Sequence, residues 1–216
     1  MVRKLLIVLA VAALSACSSG GGSGAALPSG PDLMKQSAEA MRKVTSAAFS
    51  ITTEGKPKVQ VRKAEGKLTS RGDAEGTISI EVLGTLQEIT FAIVGETVHF
   101  KGPTGGFQKM SKQELAQIYD PSLILSPADG IAKLLTTATD PKVEGTEGED
   151  YTVSASLSGE VIGRLVPGVT QGVNGRLWID RNSQRLSKVS LGLQDGSVIV
   201  AVDEYDAPVT ITPPAG

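Results

Sequence analysis

The chain has 216 residues, with 21 Lys and Arg residues against 23 Asp and Glu residues, which gives a formal net charge of -2. This nearly balanced charge gives no support to nucleic-acid binding. Hydrophobic residues make up 40% of the chain and aromatic residues only 4%, so the interior is predicted to consist mainly of Val, Ile, Leu and Ala.

The amino terminus has the pattern of an export signal. Arg3 and Lys4 precede an apolar run from Leu5 to Leu14, and small residues follow the run. A cationic start, an apolar segment and a small-residue cleavage site are typical of a secretory signal peptide. The run is too short to span a bilayer, which takes about 20 residues. We therefore expect residues 1–16 to be removed, leaving a mature chain compatible with one domain.

The segment Leu14-Ser15-Ala16-Cys17 resembles the bacterial lipobox, in which the cysteine takes a diacylglyceryl group and its new amino terminus is usually acylated. Cys17 is the only cysteine, so no disulfide competes for it. Each buried CH₂ contributes about 0.8 kcal/mol, so two or three acyl chains would hold the protein on a membrane. The alternative is an ordinary signal peptide with an incidental cysteine. Residues 17–31 predict a flexible tether, and residues 32–216 a single domain.

A helix and then a series of strands are predicted after the tether. Ser29 and Asp32 have the spacing of a capping box with Pro31 in the first turn, which predicts a helix from about Pro31. Alternating apolar and polar residues then predict strands, at 49–53, 58–68, 77–82, 88–93 and 97–101. The alternation breaks near Lys63 and Ala64, which predicts a β-bulge or a tight bend in the second of these strands.

Helices are predicted in the middle of the chain, and strands again after it. Capping patterns at 111–114 and 126–129 predict two helices, the second ending at Pro141, with an apolar loop at 119–125 between them. A short helix is predicted at 160–166. The remaining strands are predicted at 152–157, 177–179, 189–193 and 198–202. This order favours an α+β fold in which amphipathic helices cover the apolar face of an antiparallel sheet.

No catalytic constellation is found in the sequence. His99 is the single histidine, is predicted to lie on the solvent face of a strand, and has no spaced set of metal ligands around it. The Gly-x-Ser-x-Gly signature of a nucleophile elbow is missing as well. We therefore expect neither enzymatic activity nor a metal or cofactor.

Two features of the sequence, a basic cluster and the apolar face of the sheet, each allow two interpretations. A cluster of basic residues is either the solvated face of a hairpin or a patch for anionic lipid headgroups; it comprises Lys56, Lys58, Arg62, Lys63, Lys67 and Arg71. The apolar face of the sheet either packs as an ordinary core or encloses a cavity for acyl chains, for which aliphatic walls are suited.

Four parts of the chain together resemble the LppX/LprG family of mycobacterial lipoproteins, and its LprG-type members most. They are the lipobox, the Ser/Gly linker, the segment from Ile118 to Ala132 with its Tyr-Asp-Pro and Asp-Gly motifs, and the strand Leu177-Trp178-Ile179. The resemblance runs from about Leu33 to Pro213. It implies a half-barrel, in which one curved antiparallel sheet wraps around helices on its inner face with an apolar cavity between them.

The resemblance also implies a function and a set of site residues. Family members are thought to carry triacylated glycolipids and related lipids between membranes, and a major-facilitator exporter is a typical partner. The sheet side of the cavity would comprise Ile78, Ile80, Val82, Ile89, Phe91, Ile93, Val98 and Phe100. The helix side or the mouth would comprise Leu115, Ile118, Leu123, Leu125, Ile131, Leu134 and Leu135. The loop 119–126 would be the gate.

The resulting hypothesis is an exported lipoprotein, anchored to the cell membrane and facing the periplasm or cell wall. It would bind acylated lipids or glycolipids and transfer them between membranes. The alternative hypothesis is a cell-surface scaffold or chaperone module that binds a protein partner. Lipid extracted with the purified protein would distinguish the two.

Overall fold

The computed structural model describes residues 26–116, 120–166 and 168–214. The predicted signal peptide, Cys17 and Ile118 lie outside these ranges. Within them, every helix is too short or too polar to cross a bilayer.

One antiparallel sheet of eleven strands dominates the described chain, as the α+β prediction requires. The strands are β1 (Ser46–Gly55), β2 (Val61–Thr69), β3 (Ala74–Val82), β4 (Thr85–Val94), β5 (Thr97–Lys101), β6 (Gln108–Ser111), β7 (Thr139–Glu147), β8 (Asp150–Leu157), β9 (Val173–Asp180), β10 (Leu186–Leu193) and β11 (Gly196–Asp203). Their order in the sheet is β6-β5-β4-β3-β2-β1-β11-β10-β9-β8-β7. The sheet is therefore open, with β6 and β7 as its edge strands.

The two faces of the sheet differ in polarity. Directly paired residues share a face, and one such row runs across five strands through Phe49, Gly66, Gly76, Phe91 and Phe100. Apolar side chains from both halves of this inner face belong to a single buried core. The sheet thus curves around its own core as a half-barrel.

Two facing glycines permit a close approach of β2 and β3. A Cβ atom added at Gly76 would lie 2.1 Å from the carbonyl oxygen of Glu65 and 2.8 Å from the Cα of Gly66. The neighbouring Phe49 ring covers the bare backbone, since its Cε1 lies 3.0 Å from the position of a Cβ on Gly66. Glycine kinks covered by aromatic rings are a known way of curving a sheet.

Four α-helices and one 3₁₀ helix accompany the sheet in the described ranges: α1 (Gly30–Met41), α2 (Lys112–Ala116), the 3₁₀ helix Pro121–Leu125, α3 (Ile131–Thr137) and α4 (Gly159–Leu165). The predicted cap of α1 is confirmed, because the Ser29 hydroxyl accepts a hydrogen bond of 3.3 Å from the Asp32 N–H. The capping box of α2 is confirmed too. There the Glu114 carboxylate accepts from the Ser111 N–H at 2.8 Å, and the Ser111 hydroxyl accepts from the Glu114 N–H at 3.2 Å.

The region around α3 differs from the prediction. The Ser126 hydroxyl does accept a 3.2 Å hydrogen bond from the Asp129 N–H, but it closes only a turn, and the helix begins at Ile131. Pro141 does not end this helix. It lies inside β7, where an edge strand tolerates the missing N–H donor. The predicted bulge in β2 is confirmed by a register shift between Val61 and Lys63.

The connections between strands define two ends of the sheet. We call the end with the β1–β2, β3–β4 and β10–β11 connections the upper end. The β2–β3, β4–β5 and β9–β10 connections lie at the lower end. The helix α1 begins beside β7, because a Cβ on Gly30 would lie 1.9 Å from the Pro141 carbonyl oxygen.

Candidate functional site

A small apolar cavity lies between the helices and the inner face of the sheet. Its volume is about 20 Å³. Its ten lining residues are all aliphatic: Ile124, Ile131, Leu134, Ile162, Leu165, Val166, Leu186, Val189, Leu191 and Val200. A cavity of this size holds about one water molecule, so in this closed state it has no room for an alkyl chain.

A second apolar region on the inner face is only partly covered. On β3, β4 and β5 the side chains of Ile78, Ile80, Ile89 and Phe100 are half-buried, whereas Ile93 nearer the lower end is fully buried. Leu115 of α2 and Leu123 of the 3₁₀ helix are half-buried as well. We call the four strand residues the β3–β5 trough. It is an aliphatic and aromatic surface that remains partly exposed to solvent.

The predicted lining residues fall into distinct groups. Ile131 and Leu134 line the cavity. The core buries Phe91, Ile93, Val98, Leu125 and Leu135. The half-buried group comprises the trough with Leu115 and Leu123. Val82 does not reach the core, since it lies where β3 turns into β4 and is 46% exposed.

Eight residues that line the cavity were missed. Val189, Leu191 and Val200 alternate with polar or small residues on predicted strands, and Ile162, Leu165 and Val166 lie in the predicted short helix. The apolar pattern of the second half of the chain thus contained a signal for them. The remaining two are Ile124 and Leu186.

The cover over the cavity is made of short elements. The 3₁₀ helix has five residues, and α3 and α4 have seven each. Arg164 of α4 joins two of the covering segments, because its Nη1 lies 2.6 Å from Asp129 Oδ1 and its Nη2 lies 3.2 Å from Glu160 Oε1. These side chains are about half exposed or more, and exposed ion pairs contribute at most about 1 kcal/mol. The cover is therefore held mainly by apolar packing.

Charged groups do not form one patch beside the site. Arg62 pairs with Glu81 at 2.8 Å, Lys63 with Glu65 at 2.7 Å and Lys67 with Glu204 at 3.0 Å. Lys56 and Lys58 lie at the upper end and Arg71 at the lower end. The basic cluster seen in the sequence is thus spread over the length of the sheet and partly neutralised.

His99 was predicted on the solvent face, and this prediction is wrong. The side chain is 7% exposed, and Ala92, which pairs with it on β4, is also buried. Phe107, Thr212 and Pro214 border a groove on this outer face together with Ala92. The alternation correctly assigned His99 to the outer face, but it carried no information about burial on that face.

The shifted pKa values belong to caps and turns at the lower end. Backbone N–H groups lower the pKa of three carboxyl groups: Ser111 that of Glu114, Ser183 that of Asp180 and Thr45 that of Asp206. Burial raises the pKa of Tyr205, whose hydroxyl donates to the Leu186 carbonyl oxygen. These groups stabilise connections of the fold, and Tyr205 also fixes the backbone of Leu186, which lines the cavity.

Comparison with known proteins places the chain among lipoproteins. The model of the LppX_LprAFG lipoprotein family matches residues 30–211. The lipoarabinomannan carrier protein LprG of Mycolicibacterium hassiacum is 30% identical over 228 aligned positions, covering 95% of this chain and 94% of the relative. The LprG protein of Mycobacterium tuberculosis is 25% identical, covering 98% of this chain and 95% of the relative.

Solved structures share the fold. LprF from Mycobacterium bovis superposes with a TM-score of 0.77 at 21% identity, covering 87% of this chain and 97% of that one. LppX from Mycobacterium tuberculosis superposes with a TM-score of 0.63 at 19% identity, covering 84% and 99%. With the family model spanning nearly all of the described domain, the chain belongs to the LppX_LprAFG lipoprotein family.

Proposed function

We propose that this protein is a carrier of multi-acyl lipids. The proposal rests on the inner face of the sheet. This face is apolar in both halves of the sheet, but the helices cover it only in part. The β3–β5 trough is half-buried, and an all-aliphatic cavity lies under a cover of short helices. The name of its relatives, lipoarabinomannan carrier protein, favours an acylated glycolipid of the lipoarabinomannan type as the cargo.

Lipid entry requires the cover to move. A vacant cavity costs about 24 cal/mol per Å³, so an empty space of about 1,000 Å³ would cost roughly 24 kcal/mol. This exceeds the net stability of a domain, about 5–15 kcal/mol. A carrier without cargo is therefore expected to close, and the acyl chains open it by replacing the contacts between the covering helices and the sheet.

The benefit of binding comes from the tails. Exposed acyl chains cost about 25 cal/mol per Å² of apolar surface in water, so transfer of a multi-acyl lipid between membranes is slow without a carrier. The trough and the opened interior would shield the tails and leave the polar headgroup outside. No group with acid–base or nucleophilic chemistry is needed for this role.

The remaining parts of the proposal concern the cellular setting. Residues 1–16 direct export and are removed, Cys17 takes the acyl anchor, and the residues between Cys17 and α1 tether the domain to the cell membrane. The domain then faces the periplasm or cell wall, where it hands its cargo to another membrane. A major-facilitator exporter is the proposed protein partner.

A pair of variants tests the binding site. Ile78→Trp adds bulk to the inner face of β3, and Ser79→Trp adds the same bulk to the outer face one residue later. We expect Ile78→Trp to lower the lipid extracted per mole of folded protein several-fold and Ser79→Trp to leave it unchanged. Equal lipid content in both variants would show that the trough does not bind the lipid.

The scaffold alternative makes a different prediction for the same preparations. A protein-binding module purified from its own host would yield no stoichiometric lipid in the extract. The intact mass of that protein would also show whether Cys17 carries acyl chains.

A further inference from the structure

The apolar side chains that the described chain exposes most are gathered at the upper end of the sheet. The large ones are Leu83, fully exposed, Leu86 at 63%, Val82 at 46% and Leu27. Val82 to Leu86 comprise the turn between β3 and β4 and the strand ends beside it, and we call this segment the β3–β4 tip. Leu27 lies three residues before α1, whose first residue packs against the beginning of β7.

The beginning of β7 is level with the upper part of β3 in the sheet. Direct pairing leads from β7 to β3 through Lys142, Ser154, Arg176, Ser190, Ile199, Thr52, Lys63 and Ser79. Ser79 lies three residues before Val82. The amino-terminal side of the domain and the β3–β4 tip therefore point to the same end of the molecule.

The backbone of the tip does not explain its leucine. Leu83 and Gly84 form the two-residue turn with φ values of +50° and +76°, and Val82 pairs with Thr85 on either side. A turn with two positive φ values favours Asn-Gly, because a left-handed backbone suits Asn better than a bulky apolar residue. A leucine at position 83 is thus unfavourable in two ways: its backbone adopts a left-handed conformation, and its apolar side chain is exposed to water.

Basic side chains near the tip can contact a surface of negative sign, and Glu54 and Asp195 lie farther along the same end of the sheet. Glu81, the acidic residue nearest to Leu83, is paired with Arg62 at 2.8 Å. Lys56 and Lys58 lie in the neighbouring β1–β2 connection at the same end. Lysine side chains near a membrane surface are attracted to anionic phospholipid headgroups, while exposed leucines enter the boundary between headgroups and acyl chains.

We infer that the β3–β4 tip docks the upper end of the domain onto an anionic phospholipid bilayer. The occupant is a membrane surface rather than a protein, because the chain that leads to Cys17 leaves the domain at this same end. This part of the inference rests on the proposed acylation of Cys17. Docking would bring the upper ends of the trough strands next to the membrane that supplies or receives the lipid.

The test uses the full-length acylated protein in vesicles of phosphatidylcholine and phosphatidylglycerol. Thr85→Cys places an environment-sensitive fluorophore at the tip, and Ser70→Cys places it in the β2–β3 turn at the lower end. We expect the emission of the Thr85→Cys protein to shift to the blue and to resist quenching by iodide. The Ser70→Cys protein should behave as if in water. Equal quenching at the two sites would overturn the inference.

A third variant separates docking from folding. Leu83→Asn in the Thr85→Cys protein suits the turn and should not lower Tm. It should nevertheless lower the ratio of docked to undocked protein about tenfold, since burial of one leucine changes a partition by about that factor. Unchanged protection in this variant would refute the role of Leu83.

Extraction of lipid from the same preparations distinguishes this inference from the carrier proposal. A protected tip in a protein without cargo would support docking and count against the carrier. A fully quenched tip in a protein loaded with lipid would do the reverse.

Discussion

Asp206 joins the end of the last strand to the beginning of the first. Its Oδ1 accepts hydrogen bonds from the N–H of Thr45 at 2.8 Å and from the Thr45 hydroxyl at 2.9 Å, and its Oδ2 pairs with Arg185. The Arg185 guanidinium in turn lies 5.1 Å from the centre of the Tyr205 ring. One carboxylate therefore connects three segments that are distant in sequence.

Replacement of this carboxylate should weaken the fold in a pH-dependent way. We expect Asp206→Asn to lower the free energy of unfolding by about 1 kcal/mol at pH 7. The loss is small because the carboxylate is partly exposed and solvent screens its charge. The Thr45 N–H lowers the pKa of Asp206 in the folded state. Its contribution is therefore present above the unfolded pKa of about 3.9 and is lost as the pH falls through the lower folded value.

Urea unfolding of both proteins at pH 7 and at strongly acidic pH measures this effect. The difference between wild type and variant should shrink on acidification. A difference that stays constant, or that grows, would show that the carboxylate charge of Asp206 does not stabilise the lower end.

Within the sheet, the Gly66–Gly76 pair is a close contact between neighbouring strands that an added side chain would disturb. Gly76→Ala should lower the free energy of unfolding by about 2 kcal/mol, since the obstructing atoms belong to the backbone and overpacking costs typically 1–3 kcal/mol. Gly145→Ala is the matched control in β7, where an added Cβ meets nothing within 4 Å. It should change stability by less than about 0.5 kcal/mol. Similar losses in the two variants would argue against the close approach of β2 and β3.

Among the covering helices, Arg164 offers a way to loosen the cover without touching the core. Arg164→Gln removes the ion pairs to Asp129 and Glu160 and should cost less than about 1 kcal/mol of stability. It should speed lipid release to acceptor vesicles by up to about fivefold, the factor that corresponds to such an energy. Arg176→Gln, whose pairs with Glu144 and Glu147 are 3.9 and 4.0 Å long on the sheet, should leave release unchanged. Faster lipid release in Arg176→Gln, or an unchanged rate in Arg164→Gln, would contradict this role of Arg164.

Strands with clear alternation, the bulge in β2 and the caps of α1 and α2 were predictable because each depends on residues a few positions apart. The edge strand β7 was not, since Pro141 is a strong local signal for the end of a helix and its tolerance depends on the position of the strand in the sheet. Burial of His99 depends on tertiary packing that local spacing cannot reveal. For the same reason, alternation found the inner face but did not tell which part of it closes and which part stays accessible.

At the scale of the whole molecule, a single curved sheet produces both a closed interior and a half-covered trough. The cavity under the cover has a volume of about 20 Å³, which suits a carrier without cargo. Acyl chains can enter only if contacts among short, weakly paired helices are exchanged for contacts with lipid. The fold therefore needs one mobile layer and one rigid layer, and the eleven-stranded sheet provides the rigid one.

Native mass spectrometry of the intact protein purified from its own host tests this carrier account most directly. We expect a species whose added mass, beyond any modification of Cys17, equals one multi-acyl lipid and is lost on organic extraction without unfolding of the protein. The account would be contradicted by a folded protein that binds membranes but carries no lipid and acquires none from vesicles of host lipid.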